Sequence, residues 1–225
     1  AVKGGVQMFA DEKVDLAFFT GDLVNNKATE MQEWGSIFSK VNAPLGVYSV
    51  FGNHDYGDYV QWETPAQKQK NLADLATIHK NMGWNLLMNE HKVIEVDGEK
   101  LGVIGVENWG AKARFPKYGR LDQAMRGLNE SSVNLLLSHD PSHWQAEVLL
   151  KHKNIDLTLS GHTHGMQFGV DIPGFKWSPV QYVYDEWAGL YQSGEQYLYV
   201  NRGFGYLGYP GRVGILPEIT VITLE

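Results

Sequence analysis

Six polar residues able to bind a cation stand just behind short apolar runs. Asp22 closes Thr20-Gly21-Asp22 after Val14-Asp15-Leu16-Ala17-Phe18-Phe19, and Asn53 and His54 follow Leu45 to Phe51. His139 follows Val133 to Leu137, while His162 and His164 follow Ile155 to Leu159. Each run reads as a buried strand. In open α/β sheets, ligands bind beyond the carboxyl ends of the strands. Four strands therefore deliver a carboxylate, an amide and imidazoles to one edge. A single histidine in such a place is ordinarily a loop residue with satisfied hydrogen bonds, but that account does not cover four strand ends at once. The chain has no cysteine. That excludes disulfide scaffolds, zinc fingers, Fe–S clusters and thiol catalysis, and any metal must be held by imidazole, carboxylate and amide oxygen.

The elements that position these residues alternate. Val2, Val6 and Phe9 have helical spacing, as do Met31, Trp34, Ile37, Phe38 and Val41. Pro65 to Met82 predicts a helix with Leu72, Leu75, Ile78 and Met82 along its apolar side, and Pro65 suits the first turn. Lys92 to Val96 and Leu101 to Val106 predict strands joined by an Asp97-Gly98 hairpin turn. Helices are expected near Leu121 to Met125 and from Pro141. From Trp177 the chain is rich in Tyr, Trp, Gly and Pro, with strand-like runs at Gln196 to Val200 and Ile219 to Leu224. This order predicts an α/β fold, a four-layer α/β/β/α sandwich of two mixed sheets flanked by helices, with the site at the carboxyl ends of the strands.

At 225 residues the chain suits one domain and needs neither disulfide nor structural metal to fold. Its 43% hydrophobic and 12% aromatic content argues against disorder. The formal charge of −7 argues against a nucleic-acid backbone as main partner. No apolar stretch reaches the roughly 20 residues that a membrane helix needs, and Ala1-Val2-Lys3-Gly4-Gly5 is not a signal peptide.

Thr20-Gly21-Asp22, Gly52-Asn53-His54-Asp55, Ser138-His139-Asp140 and Ser160-Gly161-His162-Thr163-His164-Gly165 resemble the second to fifth motifs of the calcineurin-like metallophosphoesterase family, in order and over nearly the whole chain. The ending Pro217-Glu218-Ile219 and Gly161 to Gln167 look most like its membrane-associated or exported bacterial branch. The resemblance implies a metal-dependent phosphoester hydrolase, residues 1–225 forming a single such domain. It implies two divalent ions (Mn, Fe or Zn) bridged by Asp22. Asn53, His139 and His162 would complete one site and His164 would join the other. His54 would donate a proton to the leaving group, with Asp55 orienting its ring. Such a pair of ions makes hydroxide available near neutral pH to attack phosphorus and offsets the −7 charge locally.

The family's first motif, Asp-x-His, has no counterpart, since neither Asp11 nor Asp15 has a histidine two residues on. The expectation is a chain that starts just after that motif, without its first strand. The Asp22, Asn53, His139 and His162 site would then be the firmer one, and the other weak or empty. Membrane attachment would come from a segment upstream of Ala1. The substrate stays open between a phosphomonoester, a phosphodiester and a pyrophosphate-linked lipid. A phosphoesterase-fold scaffold or binding module without turnover is the competing reading.

Other signals carry less. Asn25 lies on the loop beyond Asp22, and Asn108 and Arg114 follow the strand at 101–106. With Arg202 and Arg212 these are candidate substrate contacts, the guanidinium fork suiting phosphate or carboxylate, against plain loop residues and surface ion pairs. Gly203-Phe204-Gly205-Tyr206-Leu207-Gly208 fits a dinucleotide fingerprint, but Tyr209-Pro210-Gly211 cannot begin the helix that such a site needs. Without G-x-S-x-G, Ser138 and Ser160 are unpersuasive nucleophiles. His79, His91, His143 and His152 end no strand and are expected to be solvated. The aromatic tail, including Tyr182, Tyr184, Trp187 and Tyr206, is either core or an apolar rim touching an amphiphile or bilayer.

Overall fold

The computed structural model describes residues 2–112, 115–128 and 131–224. In chain order its elements are α1 (Val2–Asp11), β1 (Ala17–Phe19), α2 (Gly35–Phe38), β2 (Val47–Ser49), α3 (Pro65–Asn81), β3 (Trp84–Leu86), β4 (Glu90–Val96), β5 (Glu99–Gly105), α4 (Leu121–Ala124), β6 (Val133–Leu137), α5 (Leu149–Lys151), β7 (Leu157–Ser160), β8 (Val170–Ile172), β9 (Phe175–Trp177), β10 (Gly189–Ser193) and β11 (Gln196–Val200). A π-helical turn, Trp144–Val148, leads into α5.

Two sheets face each other. The first is parallel, in the order β1-β2-β3; the second is mixed, in the order β10-β11-β7-β6-β5-β4, with β4 and β10 as antiparallel edges. Leu-Leu-Leu in β6 and Leu-Thr-Leu in β7 are buried, as befits strands covered on both faces. Between the sheets Tyr48, Val50 and Leu87 meet Val103, Leu135, Leu137 and Leu159. Outside the first sheet, Val6, Phe38 and Leu75 pack on Val47 and Trp84. Outside the second, Leu121, Trp144 and Val148 pack on Ile104, Leu136 and Leu198. The four-layer order follows from these three apolar interfaces.

Local chemistry accounts for the best-formed elements. Thr64 caps α3 by accepting the Gln67 N–H, with Pro65 at its first position. Asp97 and Gly98 both have positive φ, 52° and 86°, as a type I′ hairpin turn needs. The helix expected over Met31–Val41 is reduced to α2 and a 3₁₀ turn at Ala28–Met31. There the Glu30 carboxylate accepts the N–H groups of Asn25, Asn26 and Lys27 and rounds the chain into a tight loop. Ile219 to Leu224 is not a strand. Val221, Ile222 and Leu224 are exposed, and among the described residues no sheet edge pairs with them. No helix of the described residues is long and apolar enough to cross a membrane.

Three of the histidines expected at the surface are buried: His79, His143 and His152. His79 lies on the core face of α3, its Nδ1 2.8 Å from the Ser49 hydroxyl and its ring edge-on to Phe51 and Trp84. Burial pushes it down to about 3. An unfolded histidine titrates near 6.5, so the folded state disfavours the proton. The neutral ring's contribution is whole above that pH and is lost as pH falls toward 3. Between pH 7 and 5 the loss is about 2 kcal/mol. Urea unfolding at both pH values should show this penalty in the wild type and not in His79→Leu. Parallel pH dependences in the two proteins would rule it out.

Candidate metal centre

The registers bring the strand ends level. Leu137 pairs with both Gly105 and Leu159, and Phe19 pairs with Ser49. Pairing continues past the strands, with Gly161 N–H donating to the His139 carbonyl and Val50 N–H to that of Phe19. Asp22, Asn53, His139 and His162 therefore leave their sheets at one edge. The loops there approach so closely that only glycine fits at two positions. A Cβ on Gly21 would lie 2.5 Å from the Gly52 nitrogen, and one on Gly52 would lie 2.2 Å from Asp22 Oδ1. Asp22, His162 and His164 all hold left-handed backbone conformations, with φ of 59°, 69° and 52°. Such strain in non-glycine residues gathers at functional sites.

Asp22, His139 and His162 offer ligand atoms within 4.8 Å of one another. Asp22 Oδ2 is 3.0 Å from His139 Nε2. Asn53 Oδ1 is 3.1 Å from His139 Nε2 and 2.8 Å from His162 Nδ1, and the two ring nitrogens are 3.3 Å apart. Ligands at about 2.0–2.2 Å around one cation would stand roughly 3.0–3.5 Å from each other. On the far side of Asp22, His164 Nε2 lies 3.7 Å from Oδ2. Asp22 Oδ2 and His164 Nε2 are both buried without a hydrogen-bond partner among the described residues.

Outer contacts set the tautomers. His139 Nδ1–H donates to the Thr20 carbonyl at 2.6 Å. His162 Nε2 is 2.7 Å from the Tyr184 hydroxyl, which donates to buried Asp140 at 3.3 Å and so accepts from the ring. When neutral, each ring therefore turns a lone pair inward, beside a carboxylate and an amide oxygen. Four acceptors converging on one point repel unless a cation lies among them. The residues fit the divalent ion that the resemblance implies, with donors suited to Mn, Fe or Zn. Charges in the cluster are interdependent. Burial opposes ionisation of Asp22, yet His139 outweighs it and holds the carboxyl well below its usual range. Burial likewise opposes a charge on His139, but Asp22 raises it to about 9. Burial, with His139 beside it, pushes His162 down to about 4.

Several expected roles change. Asp55 makes no hydrogen bond to the His54 ring. Its buried carboxylate accepts the N–H groups of Gly52, Asp22, Leu23 and Val24, lacing the two ligand loops together. The His54 ring is held instead by its Nδ1–H, which donates to the Asn25 carbonyl at 2.8 Å. Nε2 is left without a protein partner among the described residues. Asn25 thus reaches the site through its backbone, and its side chain bonds to Glu30. Asn108 is buried, its carbonyl accepting from Tyr118 and Gly119. Arg202 is paired with Glu218 and Asp171. Arg212 donates to the carbonyls of Gly205, His164 and Arg202. Both guanidinium groups thus make structural contacts with protein acceptors. Arg114 lies outside the described residues.

The tail divides. Tyr184 and Trp187 are core beside Val180 and Ile215, and Phe204 stacks on Phe38, whereas Tyr182, Tyr206 and Tyr209 are exposed. Ser138 and Ser160 are buried, Ser138 against His143 and Ser160 against the Ser138 carbonyl. Sequence reasoning missed the support that Asp140 and Tyr184 give His162. Asp140 directly follows the candidate ligand His139, a signal within reach of the sequence, but nothing local marks Tyr184.

Comparison with known proteins agrees with the geometry. The profile described as "Calcineurin-like phosphoesterase" matches residues 5–166. The chain is 33% identical over 218 residues to "Uncharacterized metallophosphoesterase YkuE" of Bacillus subtilis, covering 96% of this chain and 69% of that one. It is 29% identical over 232 residues to "Phosphodiesterase YaeI" of Escherichia coli, covering 99% and 75%. Among solved structures, the NAD nucleotidase NadN of Haemophilus influenzae shares the fold, with a TM-score of 0.56 at 17% identity over 90% of this chain and 38% of that one. With its motifs, its sheets and its ligand cluster at their carboxyl edge, this chain belongs to the calcineurin-like phosphoesterase family.

Proposed function

We propose that this metal-dependent phosphoester hydrolase binds its ions through Asp22, Asn53, His139, His162 and His164, and that His54 serves as the proton donor to the leaving group. When bound, a pair of divalent ions supplies hydroxide near neutral pH and neutralises charge gathering on phosphorus. Asp22 is the one carboxylate shared between the two directions of the cluster. Asn53, His139 and His162 enclose one side and His164 faces the other. His54, anchored by Nδ1–H on the Asn25 carbonyl, would act as the imidazolium, giving its Nε2 proton to the departing oxygen. The observation that carries the reading is the convergence of carboxylate, amide and imidazole ligand atoms, with Asp22 Oδ2 and His164 Nε2 buried without hydrogen-bond partners among the described residues.

A phosphodiester is the first substrate class to test, because one relative bears the name phosphodiesterase. Metal-stripped protein should release nitrophenolate from bis(4-nitrophenyl) phosphate only after Mn²⁺ is restored. No turnover of monoester or diester chromophores with Mn²⁺, Fe²⁺ or Zn²⁺ would defeat the proposal. His54→Ala should slow a diester with an alkoxide leaving group by roughly 10²–10⁴-fold and a nitrophenyl diester by roughly tenfold at most, since nitrophenolate departs without a proton. Equal losses on both would remove His54 from the acid role.

A further inference from the structure

The loop after Gly52-Asn53-His54-Asp55 places one side chain against two members of the site. Asn53 Nδ2 donates to the Tyr59 hydroxyl at 2.6 Å. The Tyr59 ring also stacks on the His54 imidazole, with centroids 4.4 Å apart and planes inclined by 26°. Phe115 stands edge-on to both Tyr59 and His162, at 6.3 and 5.6 Å. The loop that carries Tyr59 is itself fastened. Gly57 turns it with φ of 65°, Trp62 Nε1–H donates to the Gly57 carbonyl at 2.7 Å, and Asp58 pairs with Lys68 on α3.

An amide has two similar ends of opposite character, an acceptor oxygen and a donor NH₂. The cation site uses the oxygen. Rotating the Asn53 side chain would turn N–H groups toward His139 Nε2 and His162 Nδ1, satisfying those lone pairs and closing the site to a cation. The Tyr59 hydroxyl is the acceptor that holds the NH₂ outward. The same ring lies flat on His54, which is otherwise held at Nδ1 alone. We infer that Tyr59 is a positioning residue with two separable duties: its hydroxyl fixes the Asn53 amide with oxygen toward the metal, and its ring fixes the plane of His54. The assignment rests on the metal-centre reading above.

Two variants separate the duties. Tyr59 is 48% exposed, so both should fold, which thermal melting with the metal removed will check. Tyr59→Phe keeps the stack and removes the acceptor. Isothermal titration with Mn²⁺ should show the dissociation constant rising roughly tenfold or more, as when an outer partner of a ligand is lost. The ratio of rates on nitrophenyl and alkyl diesters should stay at the wild-type value. Tyr59→Leu removes both contacts. It should weaken Mn²⁺ to the same degree and, in addition, slow the alkyl diester several-fold more than the nitrophenyl one, at saturating Mn²⁺. An unchanged Mn²⁺ constant in Tyr59→Phe, or the same leaving-group ratio in both variants, overturns the assignment. A wild-type protein that takes up no Mn²⁺ overturns the metal-centre reading and this assignment with it.

Discussion

Asp22→Asn should lose metal-dependent phosphoester hydrolysis by on the order of 10³-fold or more while remaining folded. The carboxylate's two oxygens are differently employed. Oδ1 accepts the His54 N–H at 3.0 Å, and Oδ2 is the buried, unpartnered atom that faces His139 on one side and His164 on the other. An amide in its place removes the carboxylate of the proposed ligand set. That charge is what favours divalent ions over water in a protein of net charge −7, and the ions supply several kcal/mol of transition-state stabilisation, each 1.36 kcal/mol being tenfold in rate. Asparagine is the discriminating choice because it tolerates the left-handed conformation at this position. Loss of backbone geometry is thereby separated from loss of charge. Metal analysis after dialysis should show less Mn²⁺ per chain than in the wild type. A variant within tenfold of wild-type activity would count against Asp22 as a metal ligand.

The second large effect is on stability. Asp55→Ala should cost about 3–5 kcal/mol, the range for breaking a buried charged network by removing one member, or roughly 10–15 °C in a protein of this size. Four backbone N–H groups from two loops end on this one fully buried carboxylate, at 2.8, 2.8, 2.8 and 3.3 Å. Deleting it leaves them without acceptors where water does not reach, and each unmet donor is costly. Asp55→Asn should fall between, because one amide oxygen replaces two carboxylate oxygens and an NH₂ meets N–H groups at the other. Activity should fall with stability in both variants, since the Asp22 backbone is one of the groups released. Were Asp55 a partner of the His54 ring, as the family resemblance implies, the variants would instead melt normally and shift the leaving-group dependence. Thermal melting beside the two-diester rate ratio decides between these.

Much of the architecture was legible locally. The β6 run, the α3 helix with its Thr64-Pro65 start, the Asp97-Gly98 turn and the α4 segment all carry their signal within a few residues, through capping, turn chemistry and apolar continuity. The hairpin of β8 and β9 was not legible, for a physical reason. Its outward face carries Val170, Ile172 and Phe175, all exposed, while Asp171 on the opposite face pairs with Arg202. Its alternation is real but inverted relative to the usual polar-out rule, so the pattern does not say which face meets the body. Ile219 to Leu224 shows the converse, a strand-like composition that pairs with no sheet among the described residues.

Which residue types stand at which strand ends is a property of the one-dimensional order, and that alone pointed to a cluster of metal-binding chemistry. A strand's carboxyl end can be read from a handful of adjacent residues. Who holds whom in the cluster could not be. His79 is held neutral by burial beside Phe51 of the loop after β2 and Trp84 of β3, and Asp55 serves four amides rather than the neighbouring imidazole. His162 is steered by Tyr184 from 22 residues away, and both arginines donate to protein acceptors. Burial and hydrogen-bond pairing depend on which segments meet when the two sheets close on each other, and no window of sequence contains both partners.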